Sequence, residues 1–243
     1  MNIIKLSAIA STNSYLKDLA RSTNLEDETV VVTVEQTSGR GQRGAVWQSK
    51  KGKSLTFSVF KRFSNLSSVR HFDLSLAVSL ALAKVLIKFE VPQVSVKWPN
   101  DIMSAQNKCA GILIENRLEA NHIAHCIVGI GLNVNESSFE GLPKATSLFQ
   151  QTGRNFNLDE LLVALSSEII KELKLLEETL PSKLQEEYER LLFRKDLISV
   201  FEDVNKERKN GIIRGVTASG LLRVEHDDAV FKTYDLKQVR LCY

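Results

Sequence analysis

The sequence predicts an α+β protein, in which a sheet domain carrying long helices is followed by a smaller all-β unit. Three observations point there. Short β-branched or alternating runs such as Thr29–Val34 and Val94–Trp98 read as strands. Phe72–Phe89, rich in Leu and Ala, is too long for a strand and reads as a buried helix. Beyond residue 194 the texture changes to short alternating runs punctuated by turn dipeptides. A domain boundary is therefore expected near residue 194, dividing 1–194 from 195–243.

Taken in order, Thr12–Arg21 suits a first helix whose apolar face is Tyr15, Leu16 and Leu19. The strand Thr29–Val34 feeds a loop, Gln36 to Trp47, and Ser54–Phe60 alternates like a second strand. The Phe72–Phe89 helix is stopped by Pro92, which cannot continue it. Val94–Trp98 ends at Pro99, leaving Asn100 and Asp101 at the strand's mouth. Gly111–Asn116 and Ile123–Val134 are two further strands about a turn near Leu118–Asn121. Asn157 with Glu160 three residues on has capping-box spacing and should start a helix running to about Thr179. Leu180-Pro181 ends it, and a second helix spans roughly Ser182–Phe193. The terminal runs Leu197–Phe201, Gly211–Val216, Leu221–Glu225 and Ala229–Tyr234, with turns at Asn210-Gly211 and Ser219-Gly220, read as a small barrel or sandwich.

Composition excludes more than it assigns. With 43% hydrophobic and 25% charged residues, the 243-residue chain can bury a substantial core. Its 32 Lys and Arg against 29 Asp and Glu leave a net charge of +3, too small to imply nucleic acid. Cys109, Cys126 and Cys242 lack metal-ligand spacing, and an odd number argues against a disulfide framework. The four histidines show no metal-like grouping, so no zinc is expected. The first residues lack signal-peptide architecture. Ser75, Ser79 and Lys84 break the longest apolar stretch, so no membrane span is expected and the chain reads as cytoplasmic.

The loop Gln36-Thr37-Ser38-Gly39-Arg40-Gly41-Gln42-Arg43-Gly44-Ala45-Val46-Trp47 carries most of the chemical information. Glycine permits close approach of the backbone to a ligand, and arginine offers a planar fork of donors for carboxylate or phosphate. Read alone, it fits either an anion grip or a solvated turn. Likewise Asn100 and Asp101 fit either a cleft or a plain turn, and Trp47 and Trp98 either a ligand face or core packing. Arg40, Arg43 and Lys108 are the cationic candidates.

Four segments bear together on these alternatives: the loop above, Lys97-Trp98-Pro99-Asn100-Asp101, Lys108-Cys109-Ala110-Gly111-Ile112-Leu113-Ile114-Glu115, and Gly129-Ile130-Gly131-Leu132-Asn133-Val134-Asn135. In this order, and with Ser11-Thr12-Asn13-Ser14 before them, they resemble the biotin–protein ligases. The resemblance implies a class II synthetase-like catalytic domain, a central mixed sheet with flanking helices, and a small C-terminal SH3-like β-barrel. It implies ATP and biotin as substrates and Mg2+ as cofactor. The expected acceptor is a biotin carrier domain of acetyl-CoA carboxylase or a related carboxylase, with no nucleic-acid partner. It also assigns residues. Arg40, Lys108 and Asp101 would be catalytic. Ser11, Thr12, Asn13, Gln36, Gly39, Arg40, Gly41, Lys108 and Gly111 would bind biotin. Arg43, Trp47, Asn100 and Asn133 would bind ATP or the adenylate, with Asn100 and Asn133 toward Mg2+.

Three departures qualify the resemblance. Many members carry arginines where this chain has Gln42 and Ala45, which touches adenylate retention and dimer formation and leaves a monomer or weak homodimer expected. The usual Gly-Glu pair of the last strand is Lys237-Gln238. Ser11-Thr12-Asn13 follows so soon after Met1 that no winged-helix DNA-binding domain is expected ahead of it. The related rival is a lipoate ligase or octanoyltransferase. A rival of another class is a non-catalytic nucleic-acid-binding protein.

Overall fold

The structure, a computed structural model, describes the main chain of residues 1–243 and all side chains but those of Arg43 and Asp228. Its first sheet has seven strands: β1 (Asn2–Ile9), β2 (Thr29–Gln36), β3 (Ser54–Ser67), β4 (Val94–Lys97), β5 (Asp101–Ser104), β6 (Asn107–Glu119) and β7 (His122–Asn133). Their order is β1-β2-β3-β7-β6-β5-β4. β1 runs parallel to β2 and every other pair is antiparallel, so the sheet is mixed.

Strand alternation sends neighbouring side chains to opposite faces. Val30, Phe57 and Val59 face the main core, while Val31 and Phe60 face a smaller cluster with Leu16 and Ile127. The main core lies under α2 (His71–Lys88), α4 (Leu158–Leu175) and α5 (Pro181–Arg190), whose helices pack on one another. α2 is apolar around most of its circumference and almost wholly buried, as its composition dictates. The smaller cluster lies under α1 (Thr12–Ser22), which sits on β2, β3 and β7. That thinly covered face holds the site.

Five antiparallel strands form the second sheet: β8 (Ile198–Asp203), β9 (Arg208–Val216), β10 (Leu222–His226), β11 (Val230–Tyr234) and β12 (Val239–Cys242). The order β11-β10-β9-β8-β12 fits a small SH3-like unit. It is fastened to the rest of the chain by hydrogen bonds from Trp98 Nε1, just after β4, to Gly220 O (2.9 Å) and from Gln185 Nε2 on α5 to Val216 O (2.8 Å). Trp98 packs against the main core, so its indole serves packing and this junction.

Most expected elements appear within a few residues of their places, and the differences have physical reasons. Asn210-Gly211 is not a turn but the middle of β9. A Cβ at Gly211 would lie 2.6 Å from Val224 Cγ1, so that glycine serves close approach between strands. The turn there is built by Asp203, whose Oδ1 accepts hydrogen bonds from the amides of Asn205 and Glu207. Asn157 does cap α4, accepting from the amides of Asp159 and Glu160, but the helix ends at Leu175. Pro181 opens α5, the one helical position where its missing N–H costs nothing. β1, β5, β12 and the one-turn α3 (Leu148–Thr152) carry too little pattern to be expected from sequence.

Candidate active site

The N-terminus of α1 lays the floor of the site. Ser11 caps the helix, its Oγ accepting from Ser14 N at 3.4 Å. Ser11, Thr12 and Asn13 are all buried, and buried polar groups must be partnered. Gln36 Oε1 accepts from Thr12 N (3.0 Å) and Thr12 Oγ1 (3.3 Å). Ser58 Oγ on β3 lies 2.7 Å from Thr12 Oγ1 and 2.6 Å from Asn13 Oδ1. Asn13 Nδ2 donates to Leu113 O and to Glu115 Oε2. Gly129 on β7 makes room for Asn13, since a Cβ there would fall 2.3 Å from Asn13 Oδ1.

Glu115 ties this floor to the cations around it. It pairs with Lys17 at 3.2 Å and with Arg40 Nη2 at 3.6 Å. Burial pushes its carboxyl up, but the hydrogen bonds of Asn13 and Lys17 and the charges of Lys17 and Arg40 outweigh that and hold it below the usual range. Arg40 also donates to Ser14 Oγ at 2.8 Å, so its guanidinium is steered toward the α1 side of the cleft.

The loop from Gly39 to Trp47 folds on itself through Gly41 N to Ala45 O (2.7 Å) and Trp47 N to Gly39 O (3.0 Å). It delivers the Trp47 indole onto Gly111 and Gly131, which face each other across β6 and β7. A Cβ at Gly131 would lie 2.2 Å from Trp47 Cε2, so only glycine leaves this space. Trp47 Nε1 is buried there without a hydrogen-bond partner. Lys108 Nζ stands 5.7 Å from the ring centroid and 2.6 Å from Asp101 Oδ1. The β5–β6 pairing brings this ion pair together, because Met103 opposes Lys108 and Asp101 opposes Gly111.

Two adjoining cavities meet at that pair. The first, of about 260 Å³, is lined by Ser11, Thr12, Asn13, Gln36, Arg40, Gly41, Trp47, Asn100, Asp101, Lys108 and Gly111. Gln42 and Ala45, the two departures from the family pattern, line it as well. The second, of about 460 Å³, shares Val46, Trp47, Asp101 and Lys108 and adds Lys97, Asn133, Lys144 and Tyr243. Burial pushes Lys97 below its usual range, as do the charges of Lys108 and Lys144, while Asp101 partly offsets them. Asn133 is 5% exposed, its Nδ2 donates to Thr146 O at 3.0 Å, and its Oδ1 has no partner among the described residues.

Sequence reasoning thus named residues that the fold gathers, with three exceptions. Gly39 is not among the residues that line the first cavity, and a Cβ there would meet Trp47 O at 2.3 Å. Asn133 lines the second cavity, whereas Asn100 lines the first and donates through Nδ2 to Ile112 O at 2.8 Å. The Arg43 side chain lies outside the described residues. Ser58, Gly129, Gly131, Lys144 and Tyr243 were given no role from sequence. Only the glycines carried a signal, being glycines within a strand. Cys109 and Cys126 are fully buried with thiols pushed up to about 12 by burial, which makes them core residues.

An acid-sized cavity with a polar floor, opening at a Lys–Asp pair onto a second, cationic cavity, belongs to an acyl-activating ligase fold. Residues 6–133 match the Biotin/lipoate A/B protein ligase family, and the chain belongs to that family. The chain is 30% identical over 237 residues to the Bifunctional ligase/repressor BirA of Salmonella typhimurium, covering 94% of this chain and 71% of that protein. It is 33% identical over 170 residues to the Biotin--[acetyl-CoA-carboxylase] ligase of Mycobacterium tuberculosis, covering 66% of this chain and 61% of the relative. In three dimensions it resembles the Aquifex aeolicus biotin protein ligase in complex with biotin and ATP. That match has a TM-score of 0.79 at 27% identity and covers 99% of this chain and 98% of the other.

Proposed function

We infer that this chain is a biotin–protein ligase, activating biotin with ATP and transferring it to a lysine of a carrier domain. The observation that carries the reading is the meeting of the two cavities at Lys108 and Asp101. One cavity suits a neutral polar ring on hydrogen-bonding groups, the other a polyanion.

In the first half-reaction a biotin carboxylate oxygen bonds to the α-phosphorus of ATP. The bond from that phosphorus to the β-bridging oxygen breaks, and pyrophosphate leaves with the electron pair. Bringing carboxylate and phosphate together costs about 1 kcal/mol per charge pair at 4 Å in water and about 4 at an effective dielectric of 20. Lys108 and Arg40 supply the opposing charge, and Thr12, Asn13 and Gln36 orient the ring. Trp47 offers an indole face for the adenine. In the second half-reaction the carrier lysine's uncharged amine attacks the acyl carbon, the bond to AMP breaks, and Asp101 accepts the amine's proton.

Mg2+ suits the oxygen-donor set, because Asn133 offers a buried and unpartnered Oδ1 and Asp101 a carboxylate. Among the described residues no cluster of three or more His, Cys, Asp or Glu is present. Asn133 and Asp101, with Asn100 from the first cavity, would hold Mg2+, which would neutralise phosphate charge.

The acceptor is a biotin carrier domain of acetyl-CoA carboxylase or a related carboxylase. Among the described residues no helix is long and apolar enough to cross a membrane. A cytoplasmic site of action is part of this proposal and follows from the sequence reading. Labelling of a carrier-domain lysine with biotin, ATP and Mg2+ tests both half-reactions together. Amide-linked biotin on that lysine is expected, and folded protein that leaves the carrier unlabelled overturns the reading.

A further inference from the structure

The second cavity holds more positive charge than the junction at Lys108 and Asp101 requires. Lys97, Lys108 and Lys144 all line it, and among its described lining side chains Asp101 is the one carboxylate. Three ammonium groups beside one side-chain carboxylate give the cavity a positive potential that favours an anion. Asn133 Oδ1, unpartnered in a side chain that is 5% exposed, independently marks the same cavity as incomplete without a ligand.

Lys144 is exposed, but its backbone and its ammonium are both held. Its main chain is strapped to the start of β6 by Lys108 N to Lys144 O (2.8 Å), and Thr146 N donates to Lys108 O (2.9 Å). Its ammonium lies 3.7 Å from the centroid of the Tyr243 ring and donates to Tyr243 O at 2.5 Å. Lys97 Nζ lies 5.1 Å from the same centroid. Tyr243 follows β12 of the second sheet, and Phe193 meets its ring edge-on with centroids 5.1 Å apart. One aromatic ring from the second sheet therefore holds two ammonium groups at the mouth of the first sheet's cavity.

We propose that Lys144 binds the β- and γ-phosphates of ATP, the part that departs as pyrophosphate, and that Tyr243 is the residue positioning it. The proposal rests on the ligase reading and adds a role for the second sheet, which supplies one wall of the polyphosphate site. The junction keeps Lys108 for the reacting α-phosphate, while Lys144 and Lys97 face the leaving group beyond it.

The test uses the full chain with Lys144→Ala, Lys144→Arg, Tyr243→Ala and Tyr243→Phe. Calorimetry measures binding of inorganic pyrophosphate with Mg2+ and, separately, of biotin. Steady-state pyrophosphate release gives KM for ATP and kcat. Losing a charge-assisted contact in Lys144→Ala should weaken pyrophosphate binding and raise KM for ATP about tenfold or more. Biotin affinity should stay unchanged, any fall in melting temperature should be small, and Lys144→Arg should restore most of the loss in pyrophosphate binding. Tyr243→Ala should raise KM for ATP about two- to fivefold, as expected for a lost cation–π contact, while Tyr243→Phe keeps the ring and the KM. Unaltered pyrophosphate binding and KM in Lys144→Ala would overturn the Lys144 assignment. Equal behaviour of Tyr243→Ala and Tyr243→Phe would overturn the positioning role. Pyrophosphate binding by the unaltered chain requires no catalysis, so its absence would overturn this site. A chain that binds pyrophosphate yet releases none from ATP with biotin would count against the ligase reading instead.

Discussion

Adding one methyl group at Gly131 should separate catalysis from stability in this protein. Its Cβ would lie 2.2 Å from Trp47 Cε2, 2.5 Å from Cζ2 and 2.6 Å from Nε1. Ordinary carbon contacts sit at about 3.5–4.0 Å, so the indole must retreat by more than about 1 Å. Either the indole swings away from the sheet, or the loop moves with it, and that loop carries Arg40 and is closed by Trp47 N to Gly39 O. Displacements of about 1 Å at a reacting site cost about a hundredfold in rate, which sets the expected fall in kcat/KM for ATP in Gly131→Ala. The backbone gives no reason for unfolding, since Gly131 has no positive φ and a compatible Gly→Ala change gains about 0.4–1 kcal/mol from the unfolded state. Steady-state pyrophosphate release at varied ATP, with thermal melts and Trp fluorescence alongside, measures all three effects. Gly111→Ala is the graded control. There the nearest atoms, Lys108 Nζ and Trp47 Cζ3, stand at 3.3 Å, and a milder loss is expected. If Gly131→Ala kept its KM for ATP and its Trp fluorescence, the glycine platform would have no part in placing the indole.

Three further outcomes follow from the same geometry. Lys108→Ala removes the ammonium 2.6 Å from Asp101 and should lower single-turnover pyrophosphate release by about 10²–10³-fold, with biotin still bound; a loss under tenfold would remove Lys108 from the adenylation step. Gln42→Arg adds a charged donor to the first cavity and should slow escape of biotinyl-adenylate about tenfold or more, and an unchanged release rate would dismiss that role for the position. Glu115 has a folded pKa below its ordinary 4.5, so its ionised form contributes stability that is fully present above pH 4.5 and fades as pH falls through the folded value. The melting-temperature gap between the native chain and Glu115→Gln should therefore close on acidification below 4.5, and a gap indifferent to pH would contradict the network drawn around Glu115.

Legibility of the sequence followed the range of the interactions involved. Helices α2 and α4 were readable because a long apolar stretch and an Asn157 cap act within a few residues of each other. The edge strand β1 and the four-residue β5 and β12 were not, since pairing with distant strands defines them more than their own pattern does. At the site, motif residues such as Arg40, Asp101 and Lys108 were visible because their chemistry is concentrated in short segments. Glu115 sat within a quoted motif without a role, and its network with Asn13, Lys17 and Arg40 spans about a hundred residues of chain. Lys144 and Tyr243 are almost as far apart, 99 residues, and no local pattern joins them. Asn210-Gly211 misled for the opposite reason, because a strong turn dipeptide was overridden by the space Val224 needs.

Which acid the first cavity accepts decides what this protein activates. Pyrophosphate release from Mg2+-ATP, measured with biotin, lipoate or octanoate as the only acyl acid, tests that most directly. The polar floor of Thr12, Asn13, Gln36 and Ser58 predicts release with biotin alone. Release only with lipoate or octanoate would contradict the account and move the chain to the other branch of its family, and no release with any acid from folded protein would remove the ligase assignment altogether.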